Sequence, residues 1–228
     1  MVTPERSRVI DAVADLVCGH PGPRTAVGID GRSGSGKSTF ADELAAQLRR
    51  RGRRIVRSTT DSFHRPRAER MRRGPTSAEG YHLDSHQVDV IVDELLTPFA
   101  AGAPQVRTSA FDEPSDTPID HTTEVEPEAV LIFDGLFVHR PELVSHWDLS
   151  VLLVADARLD SEWLAFLLHD LPDDDTARAD AIDDRLSRAR WPRYRDGWRR
   201  YVDGADPSSA ATIVIDNDDV AHPVLVPT

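Results

Sequence analysis

The chain has 228 residues, 39% hydrophobic and 29% charged, with a formal charge of −12. That length fills one core, or a domain with a small lid, and no apolar run approaches the length of a membrane span. The acidic balance argues against general nucleic-acid binding, which needs a broad basic surface, and the single cysteine, Cys18, cannot build an internal disulfide or a cysteine zinc cluster.

Residues 4–18 place Val9, Ile10, Val13, Leu16 and Val17 on one helical face, ended by Gly19-His20-Pro21-Gly22-Pro23. Cys18 falls on that face and reads as an inert core thiol. The polar stretch Met1 to Arg8 runs straight into this helix rather than into an apolar signal core, so the expected location is the cytoplasm. Thr25-Ala26-Val27-Gly28-Ile29-Asp30 then reads as a buried strand. It leads into Gly31-Arg32-Ser33-Gly34-Ser35-Gly36-Lys37-Ser38-Thr39, which fits the phosphate-loop pattern G-x-x-x-x-G-K-[ST]. Its glycines let backbone amides wrap a phosphate chain. Phe40, Leu44, Ala45 and Leu48 recur at helical spacing behind it, so the loop opens a helix whose N-terminus favours anions. Gly31, Ser33, Gly34, Ser35, Gly36, Lys37, Ser38 and Thr39 are the candidate ATP-binding residues. Of 27 basic residues Lys37 is the sole lysine. A compact ammonium on a flexible stem enters a crowded phosphate cradle that a planar guanidinium does not fit.

Arg49-Arg50-Arg51 close that helix and suit its macrodipole. Arg54 to Thr59 forms a second strand that delivers Thr60-Asp61-Ser62-Phe63-His64. Strand, helix and strand in this order imply a βαβ unit and a parallel sheet. Ligands bind beyond the carboxyl ends of such strands, where both the phosphate loop and Asp61 lie, so Asp61 is a candidate active-site carboxylate; a turn or cap residue is the alternative. Residues 64–80 are basic and proline-broken and read as a mobile loop over the site. Gly80-Tyr81-His82-Leu83-Asp84-Ser85 is a polar cluster placed to start a helix in which Val88, Ile91, Val92, Leu95 and Leu96 share a face. Such a cluster can hydrogen-bond a hydroxyl-bearing substrate, although Ser85 serves equally as a plain N-cap.

Residues 104–126 are extended and read as a small β-insertion. Ala129 to Gly135 is a central parallel strand ending in Asp134, a Walker-B-type acid that would bind Mg²⁺ directly or through water together with the Ser38 hydroxyl. Pairing with a nearby arginine is the alternative for Asp134. Trp147 to Val154 gives another strand. Helix follows from Arg158 to about Val202, broken near Leu171-Pro172, and its arginines include Arg185, Arg188 and Arg190 as candidates for a lid over the transferring phosphoryl group. Surface ion pairs such as Asp184 with Arg188 are the alternative there. Thr212-Ile213-Val214-Ile215 is the last strand and leads to Asp216-Asn217-Asp218. The expected fold is α/β, a three-layer α/β/α phosphate-loop NTPase with a mostly five-stranded parallel sheet. Residues 1–228 form one domain, with the insertion at 104–126 and a helical lid over about 158–195.

Gly31 to Thr39, Thr60-Asp61-Ser62-Phe63, Tyr81-His82-Leu83-Asp84, Phe133-Asp134-Gly135 and Ile215-Asp216-Asn217, in that order, resemble the uridine kinase family of phosphate-loop kinases. That group also includes nicotinamide riboside kinases and phosphoribulokinases, and the resemblance spans about residues 24–220. It implies that Asp61 orients the acceptor hydroxyl, accepts its proton and sits close to Mg²⁺. It further implies that Asp84 holds ribose hydroxyls, that Asp134 is metal-associated, and that Asp216 and Asn217 pack against adenine. Asp61, Phe63, His64, Tyr81, His82, Asp84 and Phe111 are thus expected on the acceptor side, with Ser38, Asp61 and Asp134 around the metal.

The chain departs from the family pattern in places. Asp134 stands where glutamate is usual, and Phe111-Asp112 is followed by Glu113-Pro114-Ser115-Asp116, with His121 at a different spacing. Glu162-Trp163 and His169-Asp170 replace the usual lid arginines, for which Arg185, Arg188 and Arg190 are the substitutes. The resulting expectation is ATP- and Mg²⁺-dependent phosphoryl transfer to a hydroxyl of a nucleoside or similar small metabolite. The alternatives are a kinase for a sugar or vitamin precursor, and a nucleotide-binding regulatory protein, which has no need of Asp61. ATP and GTP are not distinguished as donors, and homo-oligomerisation is left open.

Overall fold

Thr3 starts the first helix by accepting a hydrogen bond from the Arg6 backbone N–H at 3.2 Å, with Pro4 behind it in the first turn. A computed structural model describes residues 3–169, 171–172, 174–188 and 191–227, without the side chains of 166, 167, 184–188, 191 and 192. This first helix, α1 (Pro4–Gly19), buries Val9, Ile10, Val13, Ala14 and Val17, whereas Leu16, expected on the same face, is turned to solvent. Next come β1 (Thr25–Gly31), every residue of it buried, then α2 (Lys37–Arg50) and β2 (Arg54–Thr59). A 3₁₀ turn, Thr60–Phe63, leads to the short helices α3 (Arg67–Arg70) and α4 (Ala78–Asp84). Tyr81 to Asp84 therefore lie inside a helix of their own rather than ahead of one. Ser85 does not cap the next helix, because its hydroxyl donates back to the Tyr81 carbonyl at 2.7 Å.

The next helical stretch runs through α5 (Val88–Val90), a π-helical segment Ile91–Leu96 and α6 (Thr97–Ala100). The antiparallel pair β3 (Gln105–Asp112) and β4 (Thr117–Glu124) forms a separate two-stranded sheet. Strands β5 (Ala129–Gly135) and β6 (Leu149–Val154) follow, then helices α7 (Asp156–Leu168), α8 (Asp175–Arg188), α9 (Trp191–Ala205) and α10 (Pro207–Ala210). The main sheet is completed by β7 (Ile213–Asp216) and β8 (Val224–Val226).

The main sheet has the order β2-β5-β1-β6-β7-β8. The first five of these strands are mutually parallel, as expected, and β8 adds an antiparallel edge. Alternation along the strands divides the core between two faces. Val27, Ile29, Val130, Ile132, Val151 and Leu153 meet α1 and α2 through Val13, Phe40, Leu44 and Leu48. Ala26, Leu131 and Phe133 point the other way, onto Ile91, Leu95, Phe99 and the hairpin residue Val106. The three layers follow from this division. No described helix is long and apolar enough to cross a membrane.

One consequence of the strand order governs the site. With β5 between β1 and β2, Asp134 is in register with Ile29 on one side and Thr59 on the other. The tip of β5 thus stands between the phosphate loop and the turn carrying Asp61. Phe40 anchors the helix behind that loop with no exposed surface. Phe40→Ala should lower unfolding free energy by about 3–5 kcal/mol in urea titration, the usual loss for a fully buried ring.

Candidate active site

The phosphate loop closes on itself where the Ser35 N–H donates to the Arg32 carbonyl at 3.0 Å. Gly34 and Gly36 adopt φ of 85° and 90°, a left-handed backbone that side-chain-bearing residues rarely take. A methyl group at Gly34 would also come within 2.9 Å of Leu159 Cδ2, and one at Gly36 within 3.1 Å of Asn217 Nδ2. Lys37 is the first residue of α2, and its Nζ donates to the Arg32 carbonyl at 3.0 Å. Burial holds this ammonium below its ordinary pKa, opposed by the charges of Asp30, Asp61 and Asp134.

Ser38, one residue further along, donates through Oγ to Asp134 Oδ2 at 2.8 Å. The other carboxylate oxygen accepts from Arg57 Nη2 at 2.9 Å, while Arg57 Nη1 holds the Ile132 carbonyl at 2.9 Å. Asp134 therefore pairs with an arginine, the alternative expected for it, and also lies against the Ser38 hydroxyl expected beside it at a metal. The hydroxyl and carboxylate are hard oxygen donors of the kind Mg²⁺ takes, and with one oxygen committed to Arg57 the acid suits an ion that keeps several waters.

Asp61 is the second residue of the turn after β2 and is exposed, and none of the described residues donates a hydrogen bond to its carboxylate. Its carbonyl oxygen lies 3.0 Å from His64 Nδ1. His64 pairs with His86 in a short antiparallel bridge, their ring centroids 4.8 Å apart. Tyr81 and His82 pack on Phe137 at 5.3 and 5.0 Å between centroids. Phe137 itself is wholly buried at φ 63°, a strained conformation for an aromatic residue immediately beyond the β5 tip.

Several expected contacts are corrected by burial. Phe63 has no exposed surface and belongs to the core beneath the turn, so it cannot touch an acceptor in this conformation. Phe111 and Tyr81 are likewise buried, the latter with Tyr194 against one edge of its ring at 4.8 Å and Arg193 over its face. Asp84 is almost fully buried, and its carboxylate is already paired. Arg72 Nη2 holds it at 2.6 Å and Arg73 Nε at 2.8 Å, and Arg72 followed by Arg73 keeps its pKa below the usual carboxylate value. Asn217, expected against adenine, is also wholly buried: its Nδ2 donates to the Ser35 carbonyl at 2.7 Å and its Oδ1 accepts from Arg6 at 3.2 Å. It braces the phosphate loop from behind. Asp216 is exposed and accepts from the Asp218 N–H at 3.0 Å, shaping the turn. The side chains of Arg185 and Arg188, and all of Arg190, lie outside the described residues.

Three supports of the site were not read from the sequence. Arg6 on α1 ties Asn217 to Glu43 of α2, the latter at 2.7 Å. Arg158, in the first turn of α7, donates to the Gly34 carbonyl at 2.8 Å. Asp30, at the end of β1, is buried with His139 and Tyr201, accepting from His139 Nδ1 at 2.8 Å and from the Tyr201 hydroxyl. Burial pushes the Asp30 carboxyl up, but the bonds from His139, Tyr201 and the Gly31 N–H outweigh it and hold it below its ordinary value. No local pattern marks these residues, since each acts across a large sequence separation. The only signal was Asp30 itself, a charge at the end of an otherwise apolar strand.

A glycine-bent loop and lone lysine at a helix start, a serine and an acid side by side, and a further carboxylate two strands away define a phosphate-loop phosphotransferase. The chain belongs to the phosphoribulokinase/uridine kinase family, whose model matches residues 26–196. It is similar to a uridine kinase of Leuconostoc citreum, 24% identical over 190 residues that cover 82% of this chain and 89% of that one. It is similar also to a pantothenate kinase of Limosilactobacillus fermentum, 32% identical over 146 residues, 60% of this chain and 47% of that one. Among solved structures, a possible uridine kinase from Bacillus stearothermophilus shares the fold with a TM-score of 0.69 at 21% identity, covering 91% of this chain and 97% of that one. The protein is a small-molecule kinase.

The imidazoles around Phe137 make stability depend on pH. Burial, with Arg140 and Arg200 nearby, lowers His82 to about 4, and burial pushes His86 well below its ordinary value. Their folded pKa values are depressed, so below about pH 6.5 the unfolded chain binds protons that the folded chain does not, and stability falls as pH falls. Exposed His222, raised by Asp219, opposes this weakly. Thermal unfolding midpoints should drop between pH 7.5 and 5.5, above the carboxylate range, and His82→Gln should flatten the slope.

Proposed function

We propose that this kinase transfers the γ-phosphoryl group of ATP to a hydroxyl of a nucleoside, uridine- or cytidine-like, or of a similar small metabolite. The observation that carries this reading is the order of groups along the strand ends: phosphate loop, Asp134, then Asp61 with no hydrogen-bond donor on its carboxylate among the described residues. Backbone amides from Gly34 to Thr39 and the Lys37 ammonium would hold the donor phosphates. Mg²⁺, held by Ser38 and by Asp134 directly or through water, would neutralise charge on the phosphate oxygens. Asp61, further along the strand ends, orients the acceptor hydroxyl and takes its proton as the oxygen attacks phosphorus. Phosphoryl transfer asks for positioning and charge neutralisation more than covalent help, and these groups supply both.

A non-nucleoside acceptor, such as a sugar or vitamin precursor, is a second reading with its own support. Asp84 is committed to Arg72 and Arg73, and Phe111 is buried, so the residues expected to hold ribose and base are occupied by the protein itself. The tip of the β3–β4 hairpin is also committed, with Glu113 and Asp116 paired to Arg70 at 2.9 and 3.6 Å.

Purified protein incubated with Mg²⁺ and ATP or GTP against a panel of nucleosides, sugars and vitamin precursors tests both readings. Product from nucleosides supports the first, and product only from the others selects the second. Absence of product from every acceptor would count against phosphotransfer at this site. Lys37→Ala should abolish turnover. Asp61→Asn should reduce kcat by roughly 10²–10⁴-fold, the range for a lost general base, with the KM for ATP nearly unchanged. Full activity in the Asp61 variant would show that another group takes the proton.

A further inference from the structure

We propose that Asp61, His64 and His86 bind one borderline transition-metal cation of the Zn²⁺ class, and that the bound ion switches the enzyme off by withdrawing Asp61 from the acceptor hydroxyl. One donor atom from each of the three side chains lies within 4.8 Å of the other two. Zinc bonds of about 2.0–2.2 Å in tetrahedral geometry would bring such atoms to roughly 3.3–3.6 Å from one another. The adjustment falls on Asp61, which is exposed, and His64, which is half-buried, while His86 stays fixed in the interior.

The backbone holds the two imidazoles together. The Arg65 N–H donates to the Ser85 carbonyl at 2.9 Å and the Gln87 N–H to the Phe63 carbonyl at 2.8 Å, so the segments carrying His64 and His86 are fastened side by side. Each ring keeps a nitrogen for a ligand. His86 Nε2 is buried with no hydrogen-bond partner among the described residues, a state that folded proteins rarely leave unexplained. His64 Nδ1, by donating to the Asp61 carbonyl at 3.0 Å, places the lone pair on Nε2. A backbone carbonyl behind the second nitrogen is how metal-ligating histidines are commonly oriented.

The donor set selects the ion. Two imidazoles and one carboxylate suit Zn²⁺, Co²⁺ or Ni²⁺, whereas Mg²⁺ prefers oxygen and water. Nearby guanidiniums oppose a cation, but each has a carboxylate of its own: Arg65 with Asp89 at 3.3 Å, Arg70 with Glu113 at 2.9 Å and Arg140 with Glu142 at 2.9 Å. The site itself is independent of the proposed function. Its inhibitory effect rests on that reading, because only an acceptor-side base makes metal binding at Asp61 block turnover.

Titrating the full chain with Co²⁺ in excess Mg²⁺, followed by visible absorption and equilibrium dialysis, reads binding without any assay of activity. One equivalent should bind and be displaced by Zn²⁺. His64→Gln and His86→Gln should each weaken binding at least tenfold, and His222→Gln at an exposed remote position should leave it unchanged. Thermal unfolding reports whether the buried His86 variant folds; if it does not, the half-buried His64 variant decides alone. No binding in excess Mg²⁺, or unchanged affinity in the folded variants, overturns the site. In phosphoryl-transfer assays Zn²⁺ should inhibit competitively with the acceptor. Inhibition competitive with ATP would place the ion at the phosphate loop and overturn the inhibitory role. Should no acceptor be turned over, the binding arm still decides the site, so failure of the kinase reading is seen separately.

Discussion

The hydrogen bond from Ser38 Oγ to Asp134 Oδ2, 2.8 Å long, joins the start of the phosphate-binding helix to the tip of the central strand β5. Asp134 is almost fully buried, and a buried carboxylate is tolerated only where donors satisfy it. Ser38 and Arg57 do so from opposite sides, and Arg57 reaches it from β2, the strand that also delivers Asp61. One carboxylate therefore links the element that would hold the donor to the element that would approach the acceptor. The separation of the two halves is set by strand spacing, a rigid quantity, rather than by loops.

The phosphate loop is supported from outside its own sequence. Asn217 holds the Ser35 carbonyl from behind, Arg158 holds the Gly34 carbonyl from α7, and Lys37 turns inward to the Arg32 carbonyl. Fixing these carbonyls turns their peptide units, so that the amide groups of a glycine-rich segment stay oriented at little entropic cost when an anion arrives. The Arg6 guanidinium extends the brace to α1, an element whose sequence shows only an amphipathic helix.

The part of the site that would face an acceptor is built differently. Aromatic rings from α4, α9 and the loop after β5 meet around Phe137, whose left-handed backbone is held by that packing. Arg193 closes the arrangement by donating to the Ser77 carbonyl at 2.9 Å and lying over the Tyr81 ring. Asp84, Tyr81 and Phe63 thus shape the wall rather than line its surface, and exposed Asp61 stands in front of it.

Contiguous features were legible without the fold. The phosphate loop could be read because its glycines, lysine and serine sit within nine residues, and the strands could be read because burial on both faces leaves uninterrupted apolar runs such as Ala129 to Phe133. The parallel sheet followed from the alternation of those runs with helical periodicity. Tertiary structure alone decided which polar residues are spent on the protein itself. Asp84 and Asn217 had the residue type and position of ligand contacts, yet arginines from a loop and from α1 occupy them. Asp30, His139 and Tyr201 come from three distant segments, and so do Asp134, Ser38 and Arg57. A carboxylate's partner depends on what the fold brings within about 3 Å of it. Local sequence specifies the charge and the strand that carries it, and the packing of remote elements decides whether that charge meets a substrate, a metal or an arginine.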